Sequence, residues 1–372
     1  MNRRKLRIGF DARPLLHRST GIGRYAWSLL PRLISLRPYD WFLYSDRPLP
    51  GTAALDVKQV RHAGRLLGAV GAMASQICFP RWAKADDLDV FWSPRHHIPL
   101  TMSLPTVVTI HDMVWKTHPE TMARFGQTIE RHLTPLSISK ATNIIAVSQF
   151  TADQISEWYP AAEPKLSVVY EASVYTQDQP SPMSSDRNLL FVGTLEPRKN
   201  LPRALQGYRL ARDRGVRDRL TIIGNQGWET TDLKKLAFEL GIDDHVEFIG
   251  NLDDAGVMQH YARCRAVFLP SLTEGFGLPL VEAFAFSKPV VFANTGALPE
   301  IAGDAGIPVD PTSVQSIADG LVRVACDARS YAHLVGRARA RSKLFSWDVA
   351  AEQTMSILER STKGPARNAH AP

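Results

Sequence analysis

The sequence of 372 residues is poor in cysteine, with Cys78, Cys264 and Cys326 far apart and no CxxC pair. This spacing argues against a disulfide framework and against a cysteine-based zinc site, and it is typical of a reducing compartment. The basic start, 1–7, lacks the apolar segment of a secretory signal. The longest nearly apolar run, 66–79, is too short to cross a bilayer. We therefore expect a cytoplasmic protein without a membrane span.

Several other functional signatures are missing. The region between Gly9 and Gly23 does not supply the GxGxxG turn that an NAD-dependent dehydrogenase needs. No aromatic-basic module points to nucleic acid. A D-x-D pattern occurs in 86–89, but it precedes a predicted strand and is interpreted as a helix–strand connection. One group of potential metal ligands comprises His96, His97, His111, Asp112 and His118. Its irregular spacing argues against a metal site. We expect neither a metal nor a cofactor.

What is present is ordinary globular composition, 44% hydrophobic and 22% charged. The length favours two domains. The formal net charge is +7, and residues 1–182 hold most of the excess, with 21 basic and 15 acidic residues. A basic amino-terminal half indicates an anionic partner, such as nucleic acid, a phosphate-bearing substrate or an acidic membrane surface.

Short apolar runs alternate with helical patterns along most of the chain, which predicts parallel sheets with right-handed crossovers. The pattern stops in a polar, Pro/Ser-rich stretch and then restarts. We therefore predict an α/β protein with two Rossmann-like doubly wound domains, an interdomain cleft and carboxyl-terminal helices. The expected limits are a first domain over 1–175, a linker over 176–187, a second domain over 188–345, a last helix over 346–361 that crosses back, and a disordered tail over 362–372.

Ligands of open α/β sheets bind beyond the carboxyl ends of the strands. After the predicted strand Asn188–Val192 come Gly193 and the adjacent cations Arg198 and Lys199, followed by a helix start. Free helix N–H groups and full positive charges suit a diphosphate. The alternative is a solvated helix start with surface cations.

A second loop, 270–277, follows the predicted strand Ala266–Leu269 and carries Glu274 between strand and helix. Its glycines let the backbone approach a ligand. Glu282 lies within an apolar helical turn, where a carboxylate is costly unless it accepts hydrogen bonds, and sugar or ribose hydroxyls are suitable donors. The alternative is a surface Glu274 and a salt-bridged Glu282.

The spacing of Glu274 and Glu282 is an E-x7-E motif within SLTEGFGLPLVEA, and upstream stands FVGTLEPRKNL. With these motifs the chain resembles family four of the retaining glycosyltransferases, which have the GT-B fold. Further matches are DARP from Asp11, TGIGRY from Thr20, the dipeptide His111-Asp112 and FSW from Phe345. The resemblance covers most of the chain and is closest to bacterial GDP-mannose-dependent mannosyltransferases of polysaccharide and lipopolysaccharide assembly.

The resemblance assigns roles by position. It implies that Glu274 contacts the transferred hexose, that Glu282 holds the ribose hydroxyls, and that Lys199, with Arg198 beside it, neutralises the diphosphate. It implies that His111 hydrogen-bonds the hexose near its C6 hydroxyl. The remaining implied contacts to the nucleotide sugar come largely from the backbone of Gly21, Gly23, Gly275, Phe276, Gly277, Leu278, Asn251 and Leu252. Of these, Asn251 and Leu252 lie where the base is expected to be recognised.

One position departs from the family pattern, because Thr194 stands where many relatives have a second phosphate-binding arginine. Arg198 is the candidate substitute. The family route is a front-face transfer in which a leaving-phosphate oxygen takes the acceptor proton, so neither a metal nor a protein base is required. His111 as a general base is the alternative to a positioning and electrostatic role.

The first domain of this fold binds the acceptor, and the resemblance suits a glycan linked to polyprenyl diphosphate. The segment 61–84 combines basic residues with apolar residues on one helical face, which favours peripheral contact with an anionic membrane. The alternative is an ordinary core-facing helix.

The donor prediction is GDP-mannose rather than a UDP-hexose, because the matched motifs are most like those of mannosyltransferases. A UDP-hexose-dependent transferase of the same fold, a GT-B sugar-nucleotide epimerase and a non-catalytic scaffold stay open as alternatives. The acceptor, the linkage position and the oligomeric state are left undetermined by the sequence.

Overall fold

The computed structural model describes residues 4–64, 71–175, 188–228 and 231–363. The chain divides into two compact units. The first comprises Met1–Met113, Thr128–Glu171 and Trp347–Pro372, and the second comprises Val114–Gln127 and Ala172–Ser346. Residues 114–127 therefore group with the second unit, which differs from the expected uninterrupted first domain over 1–175. The expected linker, 176–187, lies outside the described residues, as do residues 364–372 of the expected tail.

The first unit contains a seven-stranded sheet in the order β3-β2-β1-β4-β5-β6-β7, with every pair of neighbours parallel. Its central strands are short, almost entirely buried apolar runs, as expected for a sheet covered on both faces. The strands are β1 Arg7–Asp11, β2 Asp40–Ser45, β3 Gln59–His62, β4 Val90–Ser93, β5 Thr106–Ile110, β6 Asn143–Ala146 and β7 Leu166–Val168.

The helices of the first unit begin at recognisable caps where the sequence offers them. The hydroxyl of Thr20 accepts from the N–H of Gly23, and the hydroxyl of Ser148 accepts from that of Thr151, each at 3.1 Å. The helices that belong wholly or mostly to this unit are Gly21–Leu36, Gly71–Ala85, Arg124–Lys140, Gln149–Trp158 and Trp347–Ser361.

The last helix, Trp347–Ser361, is part of the first unit although the second unit precedes it in the chain. The indole of Trp347 packs edge-on against Tyr25 with ring centroids 5.9 Å apart. The phenol of Tyr39 donates to Glu359 at 2.8 Å. These contacts bury the apolar face of the last helix against the first unit.

The second unit contains a six-stranded parallel sheet in the order β10-β9-β8-β11-β12-β13. Its strands are β8 Asn188–Val192, β9 Arg219–Ile223, β10 Val246–Ile249, β11 Ala266–Leu269, β12 Val290–Ala293 and β13 Gly306–Val309. Its helices are Val114–Thr117, Leu201–Asp213, Leu233–Glu239, Asp254–Arg263, Leu278–Ala285, Leu298–Ala302, Val314–Cys326 and Ala328–Ser342. The prediction of two parallel, doubly wound units is confirmed.

The D-x-D pattern is a connection, as predicted. Helix Gly71–Ala85 ends just before it and β4 begins just after it. The carboxylate of Asp86 accepts from the phenol of Tyr44 at 2.7 Å, and that of Asp89 accepts from the backbone N–H of Arg7 at 2.8 Å. These carboxylates tie the connection to the sheet. Among the described helices, none combines the length and the apolar character that a bilayer crossing requires.

Candidate functional site

Two neighbouring strands of the second unit, β8 and β11, deliver the main loops of the candidate site. Both loops leave the carboxyl edge of the sheet because the strands are parallel and paired. The N–H of Leu272 donates to the carbonyl of Arg198 at 2.8 Å, which joins the loops directly. The amide of Asn200 donates to the carbonyls of Pro270 and Pro311 at 3.1 and 2.8 Å. The site therefore has a fixed backbone frame.

The predicted cations and Glu274 meet in this frame. Lys199 Nζ lies 2.6 Å from Glu274 Oε1, and a guanidinium nitrogen of Arg198 lies 2.5 Å from Glu274 Oε2. The same nitrogen of Arg198 donates to the carbonyl of Thr273 at 2.8 Å, and the other terminal nitrogen pairs with Glu196 at 2.6 Å. The interpretation of Glu274 as a surface residue is wrong, because the residue is only 7% exposed.

The charge of Glu274 follows from these neighbours. Burial on its own raises the pKa of a carboxyl, but the positive charges of Arg198 and Lys199 outweigh it and lower the pKa of Glu274 to about 2. Glu274 is therefore a carboxylate at any physiological pH, and it faces the site as an acceptor of hydrogen bonds.

A third loop, after β12, fixes the backbone of Glu274 and was not among the predicted site residues. The N–H of Ala297 donates to the carbonyl of Glu274 at 2.9 Å. Gly296, at φ +62°, lies against the backbone of Glu274. A Cβ at this position would be 2.7 Å from both the backbone nitrogen and the carbonyl oxygen of Glu274. The glycine of the segment NTGALPE, which starts at Asn294, was the available signal.

Glu282 is buried in helix Leu278–Ala285 and accepts a hydrogen bond from the phenol of Tyr261 at 2.6 Å. Tyr261 stacks on Phe286 with centroids 5.7 Å apart, so its ring is held in place. A carboxylate in this apolar turn is expected to accept hydrogen bonds, and the hydroxyls of a ligand are the expected donors. The structure provides a tyrosine from helix Asp254–Arg263, and no residue spacing indicates this pair.

The Gly-Phe-Gly segment forms the turn into helix Leu278–Ala285. Gly277 has φ +99°, a conformation that favours glycine, and a Cβ there would lie 2.6 Å from the side chain of Leu298. The ring of Phe276 is buried edge-on against Phe345 at 5.9 Å. Only the backbone of Gly275 and Phe276 is thus suited to meeting a ligand, with Leu278 as the first helical residue.

Asn251 and Leu252 follow β10, which is the edge strand of the sheet on the far side of β9 from β8. Asn251 is exposed and Leu252 partly buried. They share the carboxyl edge with Glu274, but three strand positions separate β10 from β11. This places them towards one end of the candidate site, away from Glu274.

The remaining predicted residues belong to the first unit. Gly21 is the first residue of helix Gly21–Leu36, with Thr20 as its N-cap. Gly23 lies one half-turn on, and a Cβ there would be 1.9 Å from the carbonyl oxygen of His17. Gly23 is therefore required by the local packing, whatever else the turn contacts.

Both ring nitrogens of His111 are occupied by protein groups. Nε2 lies 2.9 Å from the carbonyl oxygen of Pro94, and Nδ1 lies 3.1 Å from Glu171 Oε1. A carbonyl only accepts, so Nε2 carries a hydrogen. One further proton then lies between Nδ1 and Glu171, which is 3% exposed. Glu171, from the segment after β7, is a partner that sequence reasoning missed.

The other histidines of the amino-terminal group are used internally. His96 and His97 both bind Glu130, at 3.1 and 2.9 Å, and Thr134 donates to the same carboxylate at 2.6 Å. The second nitrogen of His96 accepts from the backbone N–H of His111 at 3.1 Å. Within the described ranges, no three potential ligands are arranged to hold a metal ion.

The structure thus brings Arg198, Lys199, Glu274 and the 275–278 turn together in the second unit, with Glu282 in the following helix. His111, Gly21 and Gly23 lie at the carboxyl ends of strands or at a helix start in the first unit. A buried carboxylate held by two cations beside glycine-rich turns is chemically suited to a ligand that carries both hydroxyls and phosphates.

Comparison with known proteins agrees with this arrangement. Residues 19–172 match the model of glycosyltransferase family 4, and residues 176–341 match that of the glycosyltransferases of group 1. The O-antigen chain mannosyltransferase B of Escherichia coli is 30% identical, over 95% of this chain and all of its own length. The D-inositol 3-phosphate glycosyltransferase of Actinosynnema mirum is 32% identical over 59% of this chain and 57% of its own.

Solved structures show the same fold at low sequence identity. A glycosyltransferase from Rickettsia africae superposes with a TM-score of 0.74 at 15% identity, covering 97% of this chain and 100% of that one. A sucrose-phosphate synthase from Thermosynechococcus elongatus gives 0.75 at 16% identity, with the same coverage. From the relative similar over its full length and the two matching family models, we conclude that the chain belongs to glycosyltransferase family 4 and has the GT-B fold.

Proposed function

We propose that this enzyme transfers a mannose from GDP-mannose, with retention of the anomeric configuration, to a growing glycan of O-antigen or related polysaccharide. Three relatives named as mannosyltransferases of O-antigen or serotype-specific polysaccharide support the sugar and the pathway class: they are 30%, 25% and 30% identical over the matched segments. The acceptor is proposed to be a glycan linked to polyprenyl diphosphate.

The observation that carries the proposal is the pair Lys199–Glu274, 2.6 Å apart and held between the loops of β8 and β11. Glu274 offers a carboxylate to sugar hydroxyls, and Lys199 places a positive charge beside it. Arg198 is occupied by Glu196, Glu274 and the carbonyl of Thr273. Arg198 therefore acts in this proposal by positioning Glu274, and Lys199 is the main phosphate ligand.

In the proposed reaction the bond between the sugar C1 and the phosphate oxygen breaks, and its electron pair leaves with the nucleoside diphosphate. The acceptor hydroxyl oxygen bonds to C1 on the same face, and its proton passes to a phosphate oxygen. Lys199 and the amides of Gly275 and Phe276 stabilise the charge that develops on the leaving group, and one such donor contributes about 3 kcal/mol. No metal is required for these steps.

His111 is proposed to position the hexose rather than to act as a base. A general base needs a free lone pair, and the contacts of both ring nitrogens with Pro94 and Glu171 leave none. The buried Glu171 shares a proton with Nδ1 of His111, and this hydrogen bond holds the ring in one orientation. The expected hydrogen bond from His111 to the hexose therefore has no unoccupied ring nitrogen to make it. The edge of the ring that bears carbon-bound hydrogens is what remains for the ligand.

Peripheral membrane contact is proposed for helix Gly71–Ala85. Met73 and Ile77 are exposed, at 58% and 39%, and Arg81 and Lys84 continue the same exposed stripe towards the helix end. The apolar neighbours that the sequence suggested at 66, 67 and 70 lie outside the described residues. Exposed apolar side chains beside cations suit the interface of an anionic leaflet.

The donor is tested by a thermal-shift panel of GDP, UDP and ADP with their sugars. A ligand that binds the native state raises the free energy of unfolding, by about 2.7 kcal/mol at a hundredfold excess over its Kd. The midpoint temperature of unfolding rises with it. GDP and GDP-mannose are expected to give the largest shifts. A shift with the uridine compounds alone would replace GDP by UDP in the proposal.

Glu274→Gln should abolish transfer without weakening nucleotide binding. The carboxylate that binds the sugar is lost, whereas Lys199 loses a competing partner, so turnover should fall by about 100-fold or more and the Kd for GDP should stay equal or decrease. Steady-state kinetics and calorimetry measure the two effects. Glu239→Gln, at an exposed carboxylate, is the matched control. Unchanged turnover in E274Q would refute the role of Glu274.

His111→Gln should lower kcat by about tenfold, because the glutamine amide still donates to Pro94 but the ring is lost. The acid side of the pH–rate profile should keep the wild-type shape. A general base contributes about 100- to 10,000-fold, so a loss of that size, with removal of an acidic limb seen in the wild type, would establish His111 as the base. His132→Gln, at an exposed histidine, is the control.

The membrane contact is tested by sedimentation with vesicles containing 30 mol% anionic lipid, about the range in which surface charge attracts basic segments. The wild type should bind at low salt, and the double variant Met73→Ser and Ile77→Ser should bind less. Leu344→Ser removes an equally exposed apolar residue from the second unit and should bind as the wild type does. A wild type that ignores these vesicles contradicts the proposal.

A further inference from the structure

The carboxyl edge of the first sheet holds a further cation, Arg95, outside the contacts described above. Strands β1, β4 and β5 are neighbours at the centre of this sheet. Arg95 stands two residues after the end of β4, Asp11 and Arg13 stand at and just after the end of β1, and His111 follows β5. These are the positions at which open α/β sheets bind ligands.

Arg95 is partly buried, and its guanidinium makes no hydrogen bond or ion pair with any residue of the described chain. Its contribution to local hydrogen bonding is through its backbone, whose carbonyl accepts from Ser93 at 3.1 Å. A guanidinium carries five N–H donors, and burial without partners is costly. This makes Arg95 unlike the other charged groups around it.

The neighbouring charges are already paired with one another. Arg13 holds Asp11 through two contacts, at 2.8 and 2.5 Å. Glu130 is shared by His96, His97 and Thr134. Asp46 accepts from the hydroxyl of Ser45 at 3.4 Å and lies 3.7 Å from Arg47. Among the described residues, the acidic neighbours of Arg95 therefore already have other partners.

The electrostatic surroundings agree with an unfilled requirement for negative charge. Burial, and after it the positive charge of Arg13, lowers the pKa of Arg95, and the attraction of Asp11, Glu130 and Asp46 does not make up the difference. Arginine nevertheless stays protonated near neutrality. An added anion would relieve the unfavourable charge.

We propose that Arg95 is the cation of a phosphate-binding subsite in the first unit, at the carboxyl edge of β1 and β4. A planar guanidinium with free donors matches two phosphate oxygens at once. The choice of phosphate over carboxylate rests on the proposed function, because both proposed reactants carry a diphosphate. The group that enters the subsite comes either from the lipid-linked acceptor or from the donor.

Calorimetry on the full chain distinguishes these sources with two probes. The first is the nucleoside diphosphate that the thermal-shift panel selects. The second is farnesyl diphosphate, titrated with that nucleotide saturating, with farnesol as the neutral comparison. Arg95→Gln should weaken at least one diphosphate probe by tenfold or more and leave farnesol binding unchanged. Arg329→Gln, at an exposed arginine without a described partner, should weaken neither.

A loss confined to farnesyl diphosphate assigns the subsite to the acceptor, and a loss for the nucleotide assigns it to the donor. Equal affinities of wild type and R95Q for both probes, or no binding of either probe to the wild type, overturn the proposal. If the panel selects a nucleotide other than GDP, the donor proposal fails, while the farnesyl diphosphate arm still decides the role of Arg95.

Stability separates a binding role from a structural one. Because Arg95 has no partner among the described residues, R95Q should unfold at the same temperature as the wild type or higher. Arg95→Lys, which keeps the charge but not the paired donors, should bind the affected probe with intermediate affinity. A lowered unfolding midpoint in R95Q, with R95K binding as R95Q does, would show that Arg95 serves packing.

Discussion

The buried contact of Glu274 with Lys199 and Arg198 is the interaction on which the second unit's site depends. A carboxylate at 7% exposure is tolerated only because two cations from the neighbouring loop compensate it. The same contacts fix the loops of β8 and β11 relative to each other. In the proposed function these contacts link the two ends of the donor, since Lys199 neutralises the carboxylate that binds the sugar and itself meets the phosphates.

Much of the fold could be predicted from the sequence, because buried parallel strands are continuous apolar runs. The runs Asn188–Val192 and Ala266–Leu269 are strands with the predicted limits. Three strands were missed. β2, Asp40–Ser45, is a buried run that fits the rule and was overlooked, whereas β3 and β13 are exceptions to it. β3, Gln59–His62, alternates partly exposed and exposed residues, and β13 contains Pro308. Both are edge strands, where one side needs no partner and proline is tolerated.

The candidate site could be predicted where a residue type and a local spacing carry the chemistry, as for Lys199 and Glu274. Its supporting partners could not. Tyr261 reaches Glu282, and Glu171 reaches His111, from elements 21 and 60 residues away. Such pairs arise from packing, which leaves no periodic trace. Arg95 was inconspicuous for a related reason, since only the structure shows that its acidic neighbours are occupied.

The position of helix Trp347–Ser361 in the first unit has a consequence for synthesis on the ribosome. The first unit lacks the cover for Tyr25 and Tyr39 until these late residues emerge, after the whole of the second unit has been made. The sheet of the second unit draws on no later segment of chain. The first unit is therefore completed last although its synthesis begins first, and Tyr25 and Tyr39 stay without this cover in the nascent chain until then.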